Sequence, residues 1–123
     1  MNLLDTGIII QMLRQKRYNP GAISPLTLIE VLRGIEDRKR TKVKHLLEES
    51  FSVVNIDNRI IETYCSIYCR LKNQGAQLPD ADLLIAATAM AHDLTLETND
   101  EHFKRLEPLG LKIKWHTSAR AET

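Results

Sequence analysis

Short apolar runs alternate with stretches of helical spacing along the chain, and this alternation constrains the fold more than any other feature. The apolar or β-branched runs lie at residues 3–4, 22–24, 51–56, 94–98 and 111–115. Strands separated by helices form mostly parallel sheets, and right-handed crossovers then place helices on both faces of the sheet. We therefore predict an α/β fold with a central parallel sheet.

Local signals refine this pattern. The β-branched run Gly7–Ile10 is expected to extend the first strand before a turn and a buried helix. Ser24 followed by Pro25 is typical of a helix start, and Asp57 is expected to cap a long helix. That long helix is predicted to bury one stripe, formed by Ile60, Ile61, Tyr64, Tyr68 and Leu71.

The composition excludes several classes of protein. The chain has 123 residues, of which 43% are hydrophobic and 27% charged, as expected for one globular domain. No apolar run approaches the roughly 20 residues that cross a bilayer, and the start lacks a signal-peptide pattern. Two cysteines without export signals indicate reduced thiols and a cytoplasmic protein. We expect a domain over 1–116 and a flexible tail over 117–123.

Four acids follow the predicted strands. Asp5 ends the first strand, Glu30 lies in the helix after the second, Asp82 begins the helix Leu83–Ala91, and Asp100 follows the fourth strand. The carboxyl ends of parallel strands share one edge of the sheet, where sites of α/β proteins lie. Buried carboxylates brought together repel one another unless a cation lies between them, and oxygen ligands favour Mg²⁺ or Mn²⁺.

Each acid also has a structural interpretation. Asp80 and Asp82 are suited to capping a helix and complementing its dipole, and Asp100 is suited to an N-cap. Glu30 alone would be a partly exposed helix residue. Asp5 is hardest to explain in this way, because a strand end after two leucines has little structural use for a charge.

The sequence around these acids resembles the PIN domain. The resemblance rests on four blocks of sequence and reaches to about Trp115: Leu3–Ile10, Ser24–Gly34, Asp82–Ala89 and Leu94–Phe103. The compact length and the series of motifs are similar to the VapC-type toxins of prokaryotic toxin–antitoxin pairs. This resemblance implies a three-layer α/β/α sandwich with a parallel sheet in the strand order 3-2-1-4-5.

The resemblance also implies a site and an activity. Asp5, Glu30 and Asp82 match the family's acidic metal-site positions, and Asp100 matches the fourth, where many members have Asn. Gly7 departs from the family's usual Asn or Ser, which removes a hydrogen bond near the acids. The implied protein is a Mg²⁺- or Mn²⁺-dependent endoribonuclease, the toxin of a toxin–antitoxin pair. Its implied partners are RNA, a cognate antitoxin and a second copy of the chain.

Other residues are assigned supporting roles. The candidates for orienting the attacking water are Thr6, Thr98 and Asn99. The segment after Glu30 carries six basic residues within twelve positions, which are Arg33, Arg38, Lys39, Arg40, Lys42 and Lys44. The first four are expected to hold an RNA backbone; a solvated helical face is the alternative.

Two other functions stay open at this stage. The opening Leu-Leu-Asp-Thr-Gly resembles a haloacid-dehalogenase phosphatase, but that chemistry needs a second Asp where Gly7 stands. A catalytically inactive domain that binds RNA or protein is the other alternative. Cys65 and Cys69 are expected to be small core residues, Tyr64 and Tyr68 core or dimer contacts, and His102 a structural hydrogen-bonding residue.

Overall fold

The computed structural model describes residues 1–116, and the expected tail over 117–123 lies outside the described residues. Within this range the chain forms five strands, five α-helices and one 3-10 helix. In chain order they are β1 (Asn2–Leu4), α1 (Thr6–Gln15), β2 (Ala22–Ile23), α2 (Pro25–Leu32), α3 (Asp37–Ser50), β3 (Ser52–Val53), α4 (Asn58–Asn73), α5 (Asp80–Ala91), β4 (Thr95–Thr98), the 3-10 helix (Glu101–Leu109) and β5 (Ile113–Trp115).

The five strands form one parallel sheet in the order β3-β2-β1-β4-β5. The predicted order 3-2-1-4-5 is therefore confirmed. The chain moves outward from β1 in one direction and then returns to its other side, so the switch point lies between β1 and β4. Sites of open parallel sheets form at this point, beyond the carboxyl ends of the strands.

The two sides of the sheet have separate cores, which makes the structure a three-layer sandwich. Leu3 of β1 packs in a cluster with α4 and α5, whereas the adjacent Leu4 packs in a second cluster with α1, α2 and α3. Successive residues of a strand point to opposite faces, so both leucines of this short strand are buried. The central position of β1 therefore fixes Asp5, the next residue, at the middle of the sheet edge.

Two helix starts confirm the capping signals. The Ser24 side chain accepts a hydrogen bond from the Leu26 amide, with Pro25 at the first helical position. The Asp57 carboxylate accepts from the Ile60 amide and contacts the His92 ring across the start of α4. Each cap satisfies an amide that the helix itself leaves unpaired.

Three local expectations are wrong. The run Gly7–Ile10 is helical, because the Asp5 carboxylate caps a helix at Thr6 and ends the strand there. The predicted third strand, 51–56, shortens to Ser52–Val53. The sequence predicts a short helix from Asp100 to Leu106, whereas the structure has a 3-10 helix over Glu101–Leu109, which extends three residues further.

The buried stripe of α4 also differs from the expectation. Ile61 and Tyr68 are 50% and 41% exposed, and Ile67 is buried instead. Cys65 and Cys69 are exposed free thiols, not core residues. Within residues 1–116, no helix combines the length and apolar character that crossing a membrane requires.

Candidate metal centre

The four predicted acids come together at the carboxyl edge of the sheet. They line one open cleft of about 440 Å³, together with Thr6, Gly7, Ile10, Arg33 and Asn99. Asp5 reaches it from the end of β1, Glu30 from α2, Asp82 from the first turn of α5 and Asp100 from the second residue after β4. Four separate segments therefore contribute carboxylates to one space.

Asp5 is the most buried of the four, with 7% of its surface exposed. One carboxylate oxygen accepts from the Thr6 amide at 2.8 Å, and the other accepts from the Thr98 hydroxyl at 2.7 Å. Burial raises the pKa of Asp5, and the charges of Asp100 and Glu30 add to this, while the two hydrogen bonds oppose it. Its orientation is thus fixed by donors on both sides.

Thr98 connects Asp5 to Asp100. Its hydroxyl donates to Asp5 and accepts from the Asp100 amide at 3.0 Å. The Asp100 carboxylate in turn accepts from the His102 amide at 2.9 Å, which makes it the N-cap of the 3-10 helix. The capping interpretation of Asp100 is therefore correct, and the same side chain also lines the cleft.

Glu30 is held by Thr6. The Thr6 hydroxyl donates to Glu30 Oε1 at 2.7 Å, and Thr27 Oγ1 lies 3.1 Å from the same hydroxyl. Thr6 thus donates its amide to Asp5 and its hydroxyl to Glu30. The fully buried Thr27 was missed by the sequence analysis. Its position three residues before Glu30 could have indicated a link to the site, because this spacing places the two side chains on one side of α2.

Asp82 is half-buried, and its raised pKa shows the repulsion among the acids most clearly. Its pKa is raised to about 6 by burial and by the negative charges of Asp100, Asp5 and Glu30, with His102 opposing the shift. Asp82, Asp100 and His102 each offer one ligand atom, and these atoms lie within 4.8 Å of one another. This spacing and the oxygen-rich donor set fit a divalent cation.

The three residues predicted to orient the attacking water differ in their hydrogen bonds to the acids. Asn99 lines the cleft, whereas the hydroxyl protons of Thr6 and Thr98 are already donated to carboxylates. A β-carbon added to Gly7 would lie 3.5 Å from Asn99 Oδ1, an ordinary contact, so the cleft has room for a side chain there.

Arg33 also lines the cleft, but Arg38, Lys39 and Arg40 lie outside it, at the start of α3. Arg38 and Lys39 approach Glu36 at 3.1 and 4.0 Å. Arg40 pairs with Asp37 and donates to the carbonyls of Leu32 and Ile35. Contact of these three with RNA stays a prediction.

The fold and the cleft together define a class: three-layer α/β proteins with an acidic, cation-suited site at the switch point of a parallel sheet. The model of the PIN domain family matches residues 3–108, and the chain belongs to this family. Because the chain belongs to the PIN domain family, a haloacid-dehalogenase phosphatase is no longer a candidate.

Named relatives agree with this family. Ribonuclease VapC1 of Methanocaldococcus jannaschii is 40% identical over 115 residues, covering 90% of this chain and 85% of the relative. Ribonuclease VapC1 of Rickettsia felis is 33% identical over 126 residues, covering 90% and 92%. A solved toxin–antitoxin complex from Klebsiella pneumoniae contains a chain 27% identical, with a TM-score of 0.68 and coverage of 84% and 90%.

Proposed function

We propose that the protein is a Mg²⁺- or Mn²⁺-dependent endoribonuclease that hydrolyses RNA phosphodiester bonds, and that it is the toxin of a toxin–antitoxin pair. The observation that carries the proposal is the convergence of Asp5, Glu30, Asp82 and Asp100 on one cleft. Two relatives named as ribonucleases, each covered over most of its length, support the choice of RNA.

The carboxylates are the proposed metal ligands and catalytic residues. Burial and repulsion among the acids raise the pKa of Asp5 and of Asp82, so their charged forms are only partly compensated within the cleft. A cation between them offsets that repulsion, and hard oxygen donors select Mg²⁺ or Mn²⁺ over softer metals. When bound, such a cation polarises the phosphodiester and lowers the pKa of an attacking water.

The protein's own groups then position the reaction. Thr6 and Thr98 hold three of the acids through donated or accepted hydrogen bonds, so little reorganisation is needed when substrate arrives. Asn99 has an amide at the cleft and is the proposed residue that orients water. Arg33, at the rim, is suited to a phosphate oxygen of the RNA backbone.

Partners and location belong to the same proposal. The toxin–antitoxin complex from Klebsiella pneumoniae supports an antitoxin as the inhibitor of this chain. A homodimer is expected from the family resemblance, and the exposed Ile61 and Tyr68 make the outer face of α4 a candidate contact. The nuclease domain is proposed to span 1–116, and the exposed free thiols fit a reducing cytoplasm.

Expression in a bacterial host tests the function. The parent is expected to arrest growth and to create new RNA 5′ ends at defined positions, found by sequencing shortly after induction. Asp82→Asn should accumulate to the same level without either effect. Asp80→Asn removes a charge from the same helix turn but from a residue outside the cleft, and it should remain toxic. Equal toxicity and equal RNA ends with Asp82→Asn would refute the proposal.

A further inference from the structure

Thr27 has a buried hydroxyl for which the assigned site gives no role. It lies in the first turn of α2 with none of its surface exposed, and its Oγ1 is 3.1 Å from Thr6 Oγ1. Threonine in a helix commonly bonds back to a carbonyl of the preceding turn. Among the described residues Thr27 instead has Thr6 as its side-chain partner.

The protons of this network can be counted. A hydroxyl has one proton and two acceptor lone pairs, and an ionised carboxylate only accepts. The Thr6 proton goes to Glu30 Oε1, 2.7 Å away. The hydrogen bond between the two threonines must therefore use the Thr27 proton, with Thr6 Oγ1 as the acceptor. The direction of the whole chain is fixed: Thr27 donates to Thr6, and Thr6 donates to Glu30.

We propose that Thr27 is a positioning residue that acts on Glu30 through Thr6. Its donated proton occupies Thr6 Oγ1 and leaves the Thr6 proton with Glu30 as its single acceptor. One carboxylate oxygen of Glu30 is then held, and the other has no hydrogen-bond partner among the described residues and is available at the cleft. The inference rests on the proposed function, because it takes Glu30 to be a ligand of a divalent cation.

Loss of the Thr27 hydroxyl should therefore weaken metal binding by a measurable factor. Residues that hydrogen-bond to a metal ligand without contacting the metal typically change metal affinity 10- to 100-fold when they are removed. Since Thr27 is one step further from the cation, Thr27→Val should weaken Mn²⁺ binding by about tenfold. Thr27→Ser keeps the hydroxyl and should bind Mn²⁺ within about twofold of the parent.

A double-mutant cycle isolates the path through Thr6. In the Thr6→Val background there is no hydroxyl for Thr27 to act on, so Thr27→Val should weaken Mn²⁺ binding by less than about twofold. Thr88→Val is the matched control, because Thr88 is another buried helical threonine whose hydroxyl donates to the carbonyl of Leu84 in its own helix. That control should leave Mn²⁺ affinity unchanged.

The measurement is the Mn²⁺ dissociation constant of the full chain by calorimetry, without RNA, after a thermal melt in EDTA establishes that each variant is folded. If Thr27→Val does not fold, Thr27→Ala gives the same comparison without added bulk. Parent-like affinity of the Thr27 variant, an equal loss in the Thr6→Val background, or an equal loss in Thr88→Val would overturn the inference.

The same data separate this inference from the proposed function. A parent that binds Mn²⁺ and cleaves RNA, with Thr27→Val binding equally well, overturns the role of Thr27 alone. A parent that binds no Mn²⁺ overturns the cation site and the role of Thr27 together.

Discussion

Replacing Asp82 by Asn should relieve strain in the metal-free protein and remove its response to metal. The pKa of Asp82 is raised from 3.8 to about 6, first by burial and then by the other three acids. A carboxyl whose pKa is higher in the folded state favours folding while it is protonated. That advantage is complete below about pH 4 and is lost as the pH rises through about 6.

The size of the effect follows from this difference. At about 1.36 kcal/mol for each pH unit, the difference between a pKa of 3.8 and one of about 6 corresponds to about 3 kcal/mol of folding free energy at neutral pH. Because Asp82 is only half-buried, solvent screening reduces the cost to about 1 kcal/mol. Loss of a negative charge from the first turn of α5 costs about 0.5 kcal/mol through the helix dipole. Asp82→Asn should therefore be as stable as the metal-free parent at pH 7.5, or slightly more stable.

Thermal melts test this expectation in EDTA and in Mn²⁺. With Mn²⁺ at a hundred times its dissociation constant, the parent should gain about 2.7 kcal/mol, or about 10 °C in Tm for a domain of this size. Asp82→Asn should lose most of that gain. Asp80→Asn is the matched control: it replaces the charged acceptor of the Tyr64 hydroxyl, 2.5 Å away, by a neutral amide oxygen and removes the dipole interaction, yet it should keep the full Mn²⁺ response.

The pH dependence provides a second test of the same reasoning. Near pH 4 Asp82 is largely protonated in the folded protein, so any advantage of Asp82→Asn over the parent should disappear. A parent Tm that Mn²⁺ does not change, together with a strongly destabilised Asp82→Asn in EDTA, would mean that Asp82 is a structural cap. The electrostatic account of the cleft would then be wrong.

Three further predictions concern residues around the cleft and on the surface. Thr98→Val leaves a buried Asp5 oxygen without its hydrogen-bond donor. The free energy of unfolding should fall by about 1 to 3 kcal/mol in a denaturant titration, and RNA cleavage should slow by at least about tenfold. Thr98→Ser keeps the hydroxyl and should restore most of the stability and of the cleavage rate. Arg33→Ala should weaken RNA binding and lower the salt slope of the binding constant by about 1. Arg40→Ala should lower Tm, because it loses hydrogen bonds to the carbonyls of Leu32 and Ile35, and a smaller salt slope for this variant as well would support the predicted contact of Arg40 with RNA. Cys65→Ser and Cys69→Ser should each change stability by less than about 0.5 kcal/mol in the same titration, since both thiols are exposed; a loss of 2 kcal/mol would mean that they are packed.

The sequence was informative where one physical constraint dominated. Alternating apolar strands and helices predicted the parallel sheet, and acids after the strands predicted the edge where Asp5 and Asp100 meet. A charge directly after Leu3 and Leu4 has few explanations other than a site. The strand order and the family came from the resemblance to PIN domains rather than from periodicity.

The errors arose where local preference competed with tertiary context. Ile8 and Ile9 favour a strand by propensity, but the Asp5 cap starts a helix in which both are buried. A helical stripe read by spacing cannot give the rotation of the helix to within one residue, so Ile61 was assigned to the buried side in place of Ile67.

Hydrogen-bond directions around the acids were also beyond sequence reasoning. Thr6 and Thr98 are predicted to orient water, and the structure adds that their protons are donated to Glu30 and Asp5. Only the three-dimensional positions reveal which acceptor is nearest. The same holds for Thr27, whose role depends on a contact with a residue 21 positions earlier.

Cleavage of single-stranded RNA by the purified protein tests the central claim most directly. The parent with millimolar Mn²⁺ or Mg²⁺ should cut the RNA at internal positions, and EDTA should stop the reaction. Asp5→Asn, which alters the most buried acid of the cleft, should cut at least 100-fold more slowly in preparations freed of host nucleases. Equal rates for the parent and Asp5→Asn, or cleavage that continues unchanged in EDTA, would contradict a metal-dependent ribonuclease built on these four carboxylates.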